Sequence, residues 1–302
     1  MRFRKIGVIG STPTALGVTE VAASQNFEVV LVDPKGDQLE QMDSELKRSL
    51  QQRLEKWDIT EAEMRSTLGR ITITPDLQKL SDVDFVLDCT VDSLEEKQRI
   101  FSLLDKICQP HVILSSNTST LSITEVAAAT ERPQRIIGTH FLQPVSRADV
   151  VELVRGLMTS DETMQTTRLL MQRLGKVAIE VYESPGYVTT RLIIPLINEA
   201  ILALVEGVAN VDEIDLAMRL GYGMRQGPLE MVDRMGLDTV LIVMERLWRE
   251  YGDTKYRPNA LLKKLVRAGH LGVSTGRGFY FYDEQGNRLE PAVQSSTGGA
   301  LL

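Results

Sequence analysis

Residues 5 to 33 constrain the fold of this chain more than any other stretch. Ile6-Gly7-Val8-Ile9 is an unbroken apolar run that stops at Gly10, a helix-length segment follows, and Val29-Val30-Leu31-Val32 is a second such run that ends on Asp33. Short apolar runs without polar alternation read as strands covered on both faces. Two strands joined through a helix run parallel, because a tight turn closes only an antiparallel pair. The rhythm continues with Ile71-Thr72-Ile73, Phe85-Val86-Leu87-Asp88, Val112-Ile113-Leu114-Ser115, Ile136-Ile137-Gly138, Val151-Glu152-Leu153-Val154 and Val177 to Val181. Strands alternating with helices predict an α/β, doubly wound, mostly parallel sheet with right-handed crossovers.

Two stretches interrupt that rhythm. From Asp37 to Arg70 the chain is charged and helical, with a break expected near Asp58-Ile59-Thr60, which reads as an inserted helical hairpin over about residues 37–70. Ser184-Pro185-Gly186 ends the strand pattern, since Pro and Gly stop regular pairing. Beyond it the chain is nearly all helix to about Ala268, so the expected boundary is 184/185, with an α/β domain over 1–184 and an all-α domain over 185–302. A chain of 302 residues supports two such cores without a disulfide or metal staple. Asn287 to Leu302 is rich in Ser, Gly and Gln and is expected to be a poorly ordered tail.

Composition narrows the function classes. A net charge of -7 gives no support to nucleic-acid binding, although local fields still allow an anionic ligand. Cys89 and Cys108 are too few for a disulfide framework and fit a reducing, cytoplasmic setting. No secretory signal is visible, because Ile6 to Ile9 is too short for one. Leu192 to Val211 is long and apolar, yet it carries Pro195, Asn198, Glu199 and Glu206, so it is expected to be a helix buried between domains or subunits and not a membrane span. His111 and His270 have no second ligand at metal spacing, so no metal site is expected. Met224, Met231 and Met235 read as packing residues, and Asp233 and Asp238 as helix caps or partners of arginines such as Arg234.

A glycine turn after the first strand lets the backbone N–H groups of the following helix meet a pyrophosphate, and an acid about twenty residues on binds the ribose hydroxyls. Gly10 supplies the turn, Asp33 stands at the end of the second strand as for NAD and not NADP, and Ala15 takes the third small-residue position. Thr12 occupies the place of the second glycine, and Pro13 removes one donor from the first helical turn. Two readings follow: a fold that has kept its shape and lost its ligand, or a site of reduced affinity in which the Thr12 side chain crowds or contacts the phosphates.

The second chemical constellation is Gly138-Thr139-His140-Phe141-Leu142-Gln143-Pro144 with Glu152 twelve residues beyond the histidine. A histidine and a carboxylate displayed from neighbouring strands make a general base whose imidazolium is oriented by an anionic partner. From the residues alone His140 could equally cap its strand, and Glu152 could be an exposed strand position.

Several motifs taken in order carry a resemblance. Asp92-Ser93-Leu94 with Lys97, Ser116-Asn117-Thr118-Ser119, Gly138 to Pro144, Glu152, Pro185-Gly186-Tyr187, Gly227-Pro228-Leu229-Glu230 with Gly236-Leu237-Asp238, and Thr275-Gly276-Arg277-Gly278-Phe279-Tyr280 together resemble the L-3-hydroxyacyl-CoA dehydrogenases. The resemblance spans Lys5 to Tyr282 and implies an NAD-binding Rossmann domain and a helical domain for dimerisation and substrate. It implies that His140 takes the proton of the 3-hydroxyl as hydride passes to NAD, that Glu152 holds the imidazole, and that Ser119 bonds the reacting oxygen. It places Asp92 beside the nicotinamide and Lys97 against cofactor or substrate. It implies an acyl-CoA substrate, and Arg48, Arg53 and Lys56 in the charged hairpin are the candidates for its phosphates, with a solvated helix face as the alternative.

The chain departs from that pattern near the chemistry. Thr190 stands where the family has a substrate-binding asparagine, Gln143 replaces an asparagine after the His-Phe pair, and Arg225-Gln226 replaces a proline before Gly227. Loss of one preorganised donor costs roughly a hundredfold in rate. The expected function is an NAD-dependent 3-hydroxyacyl-CoA dehydrogenase acting as a homodimer. The alternatives are a silent paralogue serving as structural or regulatory subunit beside an active relative, and a hydroxy-acid dehydrogenase that uses no CoA.

Overall fold

The computed structural model describes residues 3–289, and the chain divides into two compact units between Tyr187 and Val188. The division falls three residues past the expected 184/185. Tyr187 belongs to the first unit because its ring is buried in that unit's core and its hydroxyl donates to the Leu121 carbonyl at 3.1 Å.

The first unit runs β1 (Lys5–Ile9), α1 (Pro13–Ser24), β2 (Glu28–Val32), α2 (Leu39–Glu55), α3 (Glu61–Leu68), β3 (Ile71–Thr74), β4 (Phe85–Asp88), α4 (Leu94–Ile107), β5 (Ile113–Ser116), α5 (Ile123–Ala127), β6 (Ile136–Phe141), β7 (Val150–Arg155), α6 (Asp161–Arg173) and β8 (Val177–Tyr182). The strands form one sheet in the order β3-β2-β1-β4-β5-β6-β7-β8. Every neighbouring pair is parallel except β6 with β7. The expected doubly wound, mostly parallel α/β sheet is therefore present, and its order reverses between β1 and β4, where ligands of such sheets bind.

Successive residues of β2 serve the two faces: Val29 and Leu31 join the core under α1, α2 and α6, whereas Val30 and Val32 join the core under α4 and α5. Both faces are covered, which is why the strands read as unbroken apolar runs. The inserted hairpin is α2 and α3, turned at Trp57, with Thr60 capping α3. It is tied to α1 through the buried Glu20 carboxylate, which accepts from Ser49 Oγ at 2.6 Å and Arg53 at 2.9 Å.

The second unit contains α7 (Thr189–Val205), α8 (Val211–Tyr222), α9 (Pro228–Met235), α10 (Leu237–Tyr251) and α11 (Ala260–Arg267), closed by the hairpin β9 (Phe281–Tyr282) and β10 (Arg288–Leu289). Two buried carboxylates organise it. Asp215 accepts from the Leu229 and Glu230 N–H groups at 2.8 Å, satisfying the first turn of α9, and from Tyr280 Oη at 3.0 Å. Asp233 accepts from the Phe279 and Tyr280 N–H groups at 2.8 and 2.9 Å and from Tyr282 Oη at 3.0 Å. Asp233 thus anchors the C-terminal hairpin instead of capping a helix, and Arg234 pairs with Glu230. The glycine motifs follow from this packing: a Cβ at Gly227 would lie 2.2 Å from the Asp215 carboxyl carbon, and one at Gly278 would lie 2.0 Å from Asp233 Oδ1.

Two expectations need correction here. Residues of α7 were expected to be buried between domains or subunits, but Ile194, Ile197, Ala200, Ile201 and Leu204 are buried in the second unit's own core. Exposed apolar residues nevertheless occur from the end of α7 to the end of α8, at Val205, Val208, Leu216, Leu220 and Tyr222, and elsewhere in the unit at Leu192 and Ile242. Of the expected tail, Asn287 closes a turn on Asp283 and Arg288–Leu289 pairs with β9; the rest of it lies outside the described residues. No helix among the described residues is long and apolar enough to cross a membrane.

Candidate functional site

His140 and Glu152 are directly opposed across the one antiparallel pairing of the large sheet. Directly opposite residues on antiparallel strands project to the same face, so the twelve-residue spacing is a cross-strand pair. His140 Nδ1 lies 2.5 Å from Glu152 Oε2. The carboxylate is wholly buried, whereas His140 keeps 8% of its surface, so the imidazole stands between the carboxylate and the outside. A carboxylate on Nδ1 fixes the tautomer: Nδ1 carries the proton and Nε2 is left with a lone pair. The alternatives of a strand cap and an exposed glutamate do not hold.

A third side chain completes the surroundings of the imidazole. The Tyr187 ring lies 5.7 Å from the His140 ring at a tilt of 57°. Burial, with the charges of Asp92, Glu183 and Glu152, holds the Tyr187 phenol well above its usual range, so it stays a neutral donor. Sequence reasoning met Tyr187 only inside the Pro-Gly motif. Its signal was a bulky residue directly after a Pro-Gly turn, and nothing in the spacing pointed to His140.

Ser119 lies half-buried on the loop between β5 and α5, and that loop is pinned on both sides of it. Asn117 donates its N–H to the Asp88 carbonyl at 2.7 Å and accepts from Phe141 N at 3.0 Å through Oδ1, beside His140. Thr118 Oγ1 accepts from Thr120 N and Leu121 N, and Thr120 Oγ1 donates to Asp92 Oδ2 at 3.3 Å. Asp92 thereby stands on the neighbouring loop, between β4 and α4. Thr190 is buried in the first turn of α7 in the second unit.

At the dinucleotide turn, Gly10 has φ +115°, and a Cβ there would lie 2.7 Å from the Cys89 carbonyl oxygen. Only glycine fits such a place. Thr12 is the N-cap of α1: its Oγ1 accepts from Ala15 N at 3.2 Å and donates to the Cys89 carbonyl at 2.8 Å. The Thr12 hydroxyl, read from the sequence as crowding or contacting the phosphates, is engaged inside the protein through both of these bonds. Pro13 at the first helical position removes a donor that has no intrahelical partner in any case. Ala15 is fully buried under the helix.

Asp33 lies where β2 ends, 4% exposed, and its Oδ2 is buried without a protein partner. A buried carboxylate oxygen left unmet is costly unless a donor reaches it. The paired hydroxyls of a ribose are such donors, so Gly10, the α1 N-terminus and Asp33 fit a dinucleotide.

Other expected contacts are placed differently. Lys97, expected at cofactor or substrate, is fully buried with Nζ 2.8 Å from Asp88 Oδ2. Arg53 gives one amino group to Glu20, while Arg48 and Lys56 are exposed on the same hairpin. Gln143, in the asparagine's place, donates to Thr14 Oγ1 at 2.6 Å and so joins the loop after β6 to the first turn of α1. Both cysteines are buried, and burial pushes their thiols up, that of Cys108 to about 11. No cluster of potential metal ligands occurs among the described residues.

Comparison with known proteins agrees with this geometry. Residues 5–184 match the 3-hydroxyacyl-CoA dehydrogenase NAD binding domain, and residues 186–282 match the C-terminal domain of the same family. The chain is 44% identical over 285 residues to a probable 3-hydroxybutyryl-CoA dehydrogenase of Bacillus subtilis, covering 94% of this chain and 99% of that protein. It is 42% identical over 280 residues to the 3-hydroxybutyryl-CoA dehydrogenase of Bradyrhizobium diazoefficiens, covering 93% and 96%. The crystal structure of (S)-3-hydroxybutyryl-CoA dehydrogenase from Ralstonia eutropha superposes with a TM-score of 0.86 at 40% identity, covering 94% of this chain and all of that one. The matched domain makes NAD the dinucleotide. The chain belongs to the 3-hydroxyacyl-CoA dehydrogenase family.

Proposed function

We propose that this chain interconverts a 3-hydroxyacyl-CoA and the corresponding 3-oxoacyl-CoA, with His140 as the general acid and base. The observation that carries this reading is the buried cross-strand pair, Nδ1 of His140 at 2.5 Å from Glu152. Bound NAD supplies the hydride acceptor. His140 Nε2, free of the carboxylate, takes the proton of the 3-hydroxyl, and Glu152 stabilises the imidazolium that results without itself becoming the base. Ser119, on a loop pinned to the Asp88 carbonyl and to Phe141 N, bonds the reacting oxygen, and Thr190, in the first turn of α7, keeps a hydroxyl where the family has its substrate-binding asparagine. Gly10 and the α1 N-terminus would hold the pyrophosphate, with Ala15 packed in the core behind them, Asp33 would hold the ribose, and Asp92 would stand at the nicotinamide. Thr12 serves by shaping the turn.

Arg48 and Lys56, exposed on the inserted hairpin, attract the CoA phosphates, with Arg53 contributing what Glu20 leaves free. The second unit pairs with a second copy of the chain through α8. Against a silent paralogue, the two departures that favour it keep usable groups: Thr12 builds the turn through its own bonds, and Thr190 retains a hydroxyl.

The test is reduction of acetoacetyl-CoA by NADH. His140→Gln should lower turnover by at least about a hundredfold, since positioned proton transfer is worth that much, while NADH binding followed by its fluorescence stays near that of the parent. Equal turnover in the two proteins would refute the role of His140. Equal activity of the parent on acetoacetate and on acetoacetyl-CoA would favour a hydroxy-acid dehydrogenase that uses no CoA.

A further inference from the structure

Tyr187 ends the first unit with its backbone in the left-handed region, at φ +46°, directly after Gly186 at φ +82°. Glycine adopts that conformation freely, whereas a bulky residue avoids it. Where a bulky residue is found there, its surroundings hold it, and such positions recur at functional sites. Both ends of the Tyr187 side chain are held. The ring is buried in the first unit's core and lies 5.7 Å from the His140 ring at a tilt of 57°. The hydroxyl donates to the Leu121 carbonyl at 3.1 Å, and the Thr118 side chain meets the same hydroxyl.

Thr118 and Leu121 bracket Ser119. Thr118 Oγ1 accepts from Thr120 N at 3.3 Å and from Leu121 N at 3.0 Å, which closes a turn with Ser119 inside it. None of these bonds uses the Ser119 hydroxyl, so the turn is fixed while that hydroxyl stays available to a ligand. On the other side, Glu152 holds His140 by Nδ1 and leaves the rest of the imidazole to be confined by what packs on it. Tyr187 therefore touches both groups that the proposed reaction brings to one oxygen: the imidazole through its ring, and the Ser119 turn through its hydroxyl. Burial keeps the phenol protonated, as donation to a carbonyl requires.

We propose that Tyr187 is a positioning residue of the reaction, whose ring and hydroxyl together set the spacing between His140 and the Ser119 turn so that imidazole and serine meet the same substrate oxygen. This rests on the roles of His140 and Ser119 given above. Two groups aimed at one atom act together only when their spacing is set beforehand, and a misplacement of about 1 Å can cost roughly a hundredfold in rate. A residue that only stabilises the fold slows every background by the same factor. A residue that acts through Ser119 loses that effect once the serine hydroxyl is gone, so a double-mutant cycle separates the two.

The experiment measures kcat and KM for acetoacetyl-CoA reduction, with NADH affinity by fluorescence titration and Tm by calorimetry. The proteins are the parent, Tyr187→Phe, Tyr187→Leu, Ser119→Ala and the double variant Tyr187→Phe with Ser119→Ala. Tyr187→Phe keeps the ring and loses the hydroxyl's bonds, so kcat should fall about five- to tenfold while KM and NADH affinity stay within about twofold of the parent. Tyr187→Leu gives up the ring as well and should be slower by a further factor of about ten. In the Ser119→Ala background, Tyr187→Phe should change kcat by less than about twofold. The same loss in both backgrounds, or a kcat of Tyr187→Phe equal to the parent's, would make Tyr187 a residue of the fold alone, and the proposal fails. Tyr187→Leu no slower than Tyr187→Phe would take the ring out of the spacing, and the proposal fails again. Ser119→Ala as fast as the parent would remove Ser119 from the reaction and the proposal with it, a failure of the underlying reading that the single variant shows by itself. If Tyr187→Leu does not fold, Tyr187→Phe and the double variant decide.

Discussion

The hydroxyl of Thr12 caps α1 and bonds the Cys89 carbonyl with one oxygen, so a residue that breaks the glycine pattern builds the turn in another way. A Thr cap is worth about 0.5–2 kcal/mol against a residue that cannot cap. Thr12→Val keeps the volume and loses both bonds, so it should lower Tm and weaken NADH binding. Thr12→Gly also loses the Cys89 link and should not bind NADH more tightly than the parent in a calorimetric titration. Tighter binding by the glycine variant would show that the side chain obstructs the phosphates after all. At this scale the sequence made Gly10, Asp33, His140 and Glu152 visible as candidates, because turn and strand-end positions can be counted along the chain. It did not show the bond between Asp88 and Lys97, because an ion pair nine residues apart bridges a strand end and a helix interior, and no period links the two. Tyr187 escaped for the same reason: its partners, His140 and Leu121, come from distant segments.

Strands and helices were legible one element at a time. All eight strands of the large sheet lie at the apolar runs, within three residues at their ends, since the inner strands are buried on both faces and leave little room for polar positions. What the runs could not show is the single antiparallel pairing of β6 with β7, which turns a twelve-residue spacing into the His140–Glu152 contact. In the second unit the glycine motifs were noticed, but their cause was a pair of carboxylates on other helices. Asp233 takes three donors from the C-terminal hairpin, two backbone N–H groups and the Tyr282 hydroxyl. Asp233→Asn turns an amide nitrogen toward donors that need an acceptor and should cost about 1–3 kcal/mol. Calorimetry should show this as a Tm several degrees lower. A Tm unchanged to within about 1 °C would mean that the hairpin finds its donors' partners elsewhere.

At the scale of the whole molecule, the apolar surface of the second unit bears on assembly, and its position decides which helix to test. Only Val211 and Asp215 of α8 are buried, while Leu216 and Leu220, one turn apart, are 49% and 76% exposed. Tyr222 at its end and Val205 and Val208 before it extend the same apolar surface, at 81%, 48% and 72% exposure. A concentration of exposed apolar residues along one stretch of the chain points to a contact surface. The family's C-terminal domain, matched over residues 186–282, is the part for which the resemblance implies pairing across a two-fold axis. In a two-fold interface the same patch serves both copies, so each substitution acts twice. Leu216→Glu with Leu220→Glu should therefore convert a particle of about twice 33.7 kDa into one near 33.7 kDa in sedimentation at sub-micromolar concentration. Substituting Leu192, 69% exposed but at the other end of α7, should leave the particle mass unchanged. A well-folded parent sedimenting at the single-chain mass would overturn the pairing, and a double variant that keeps the larger mass would place the interface on another face.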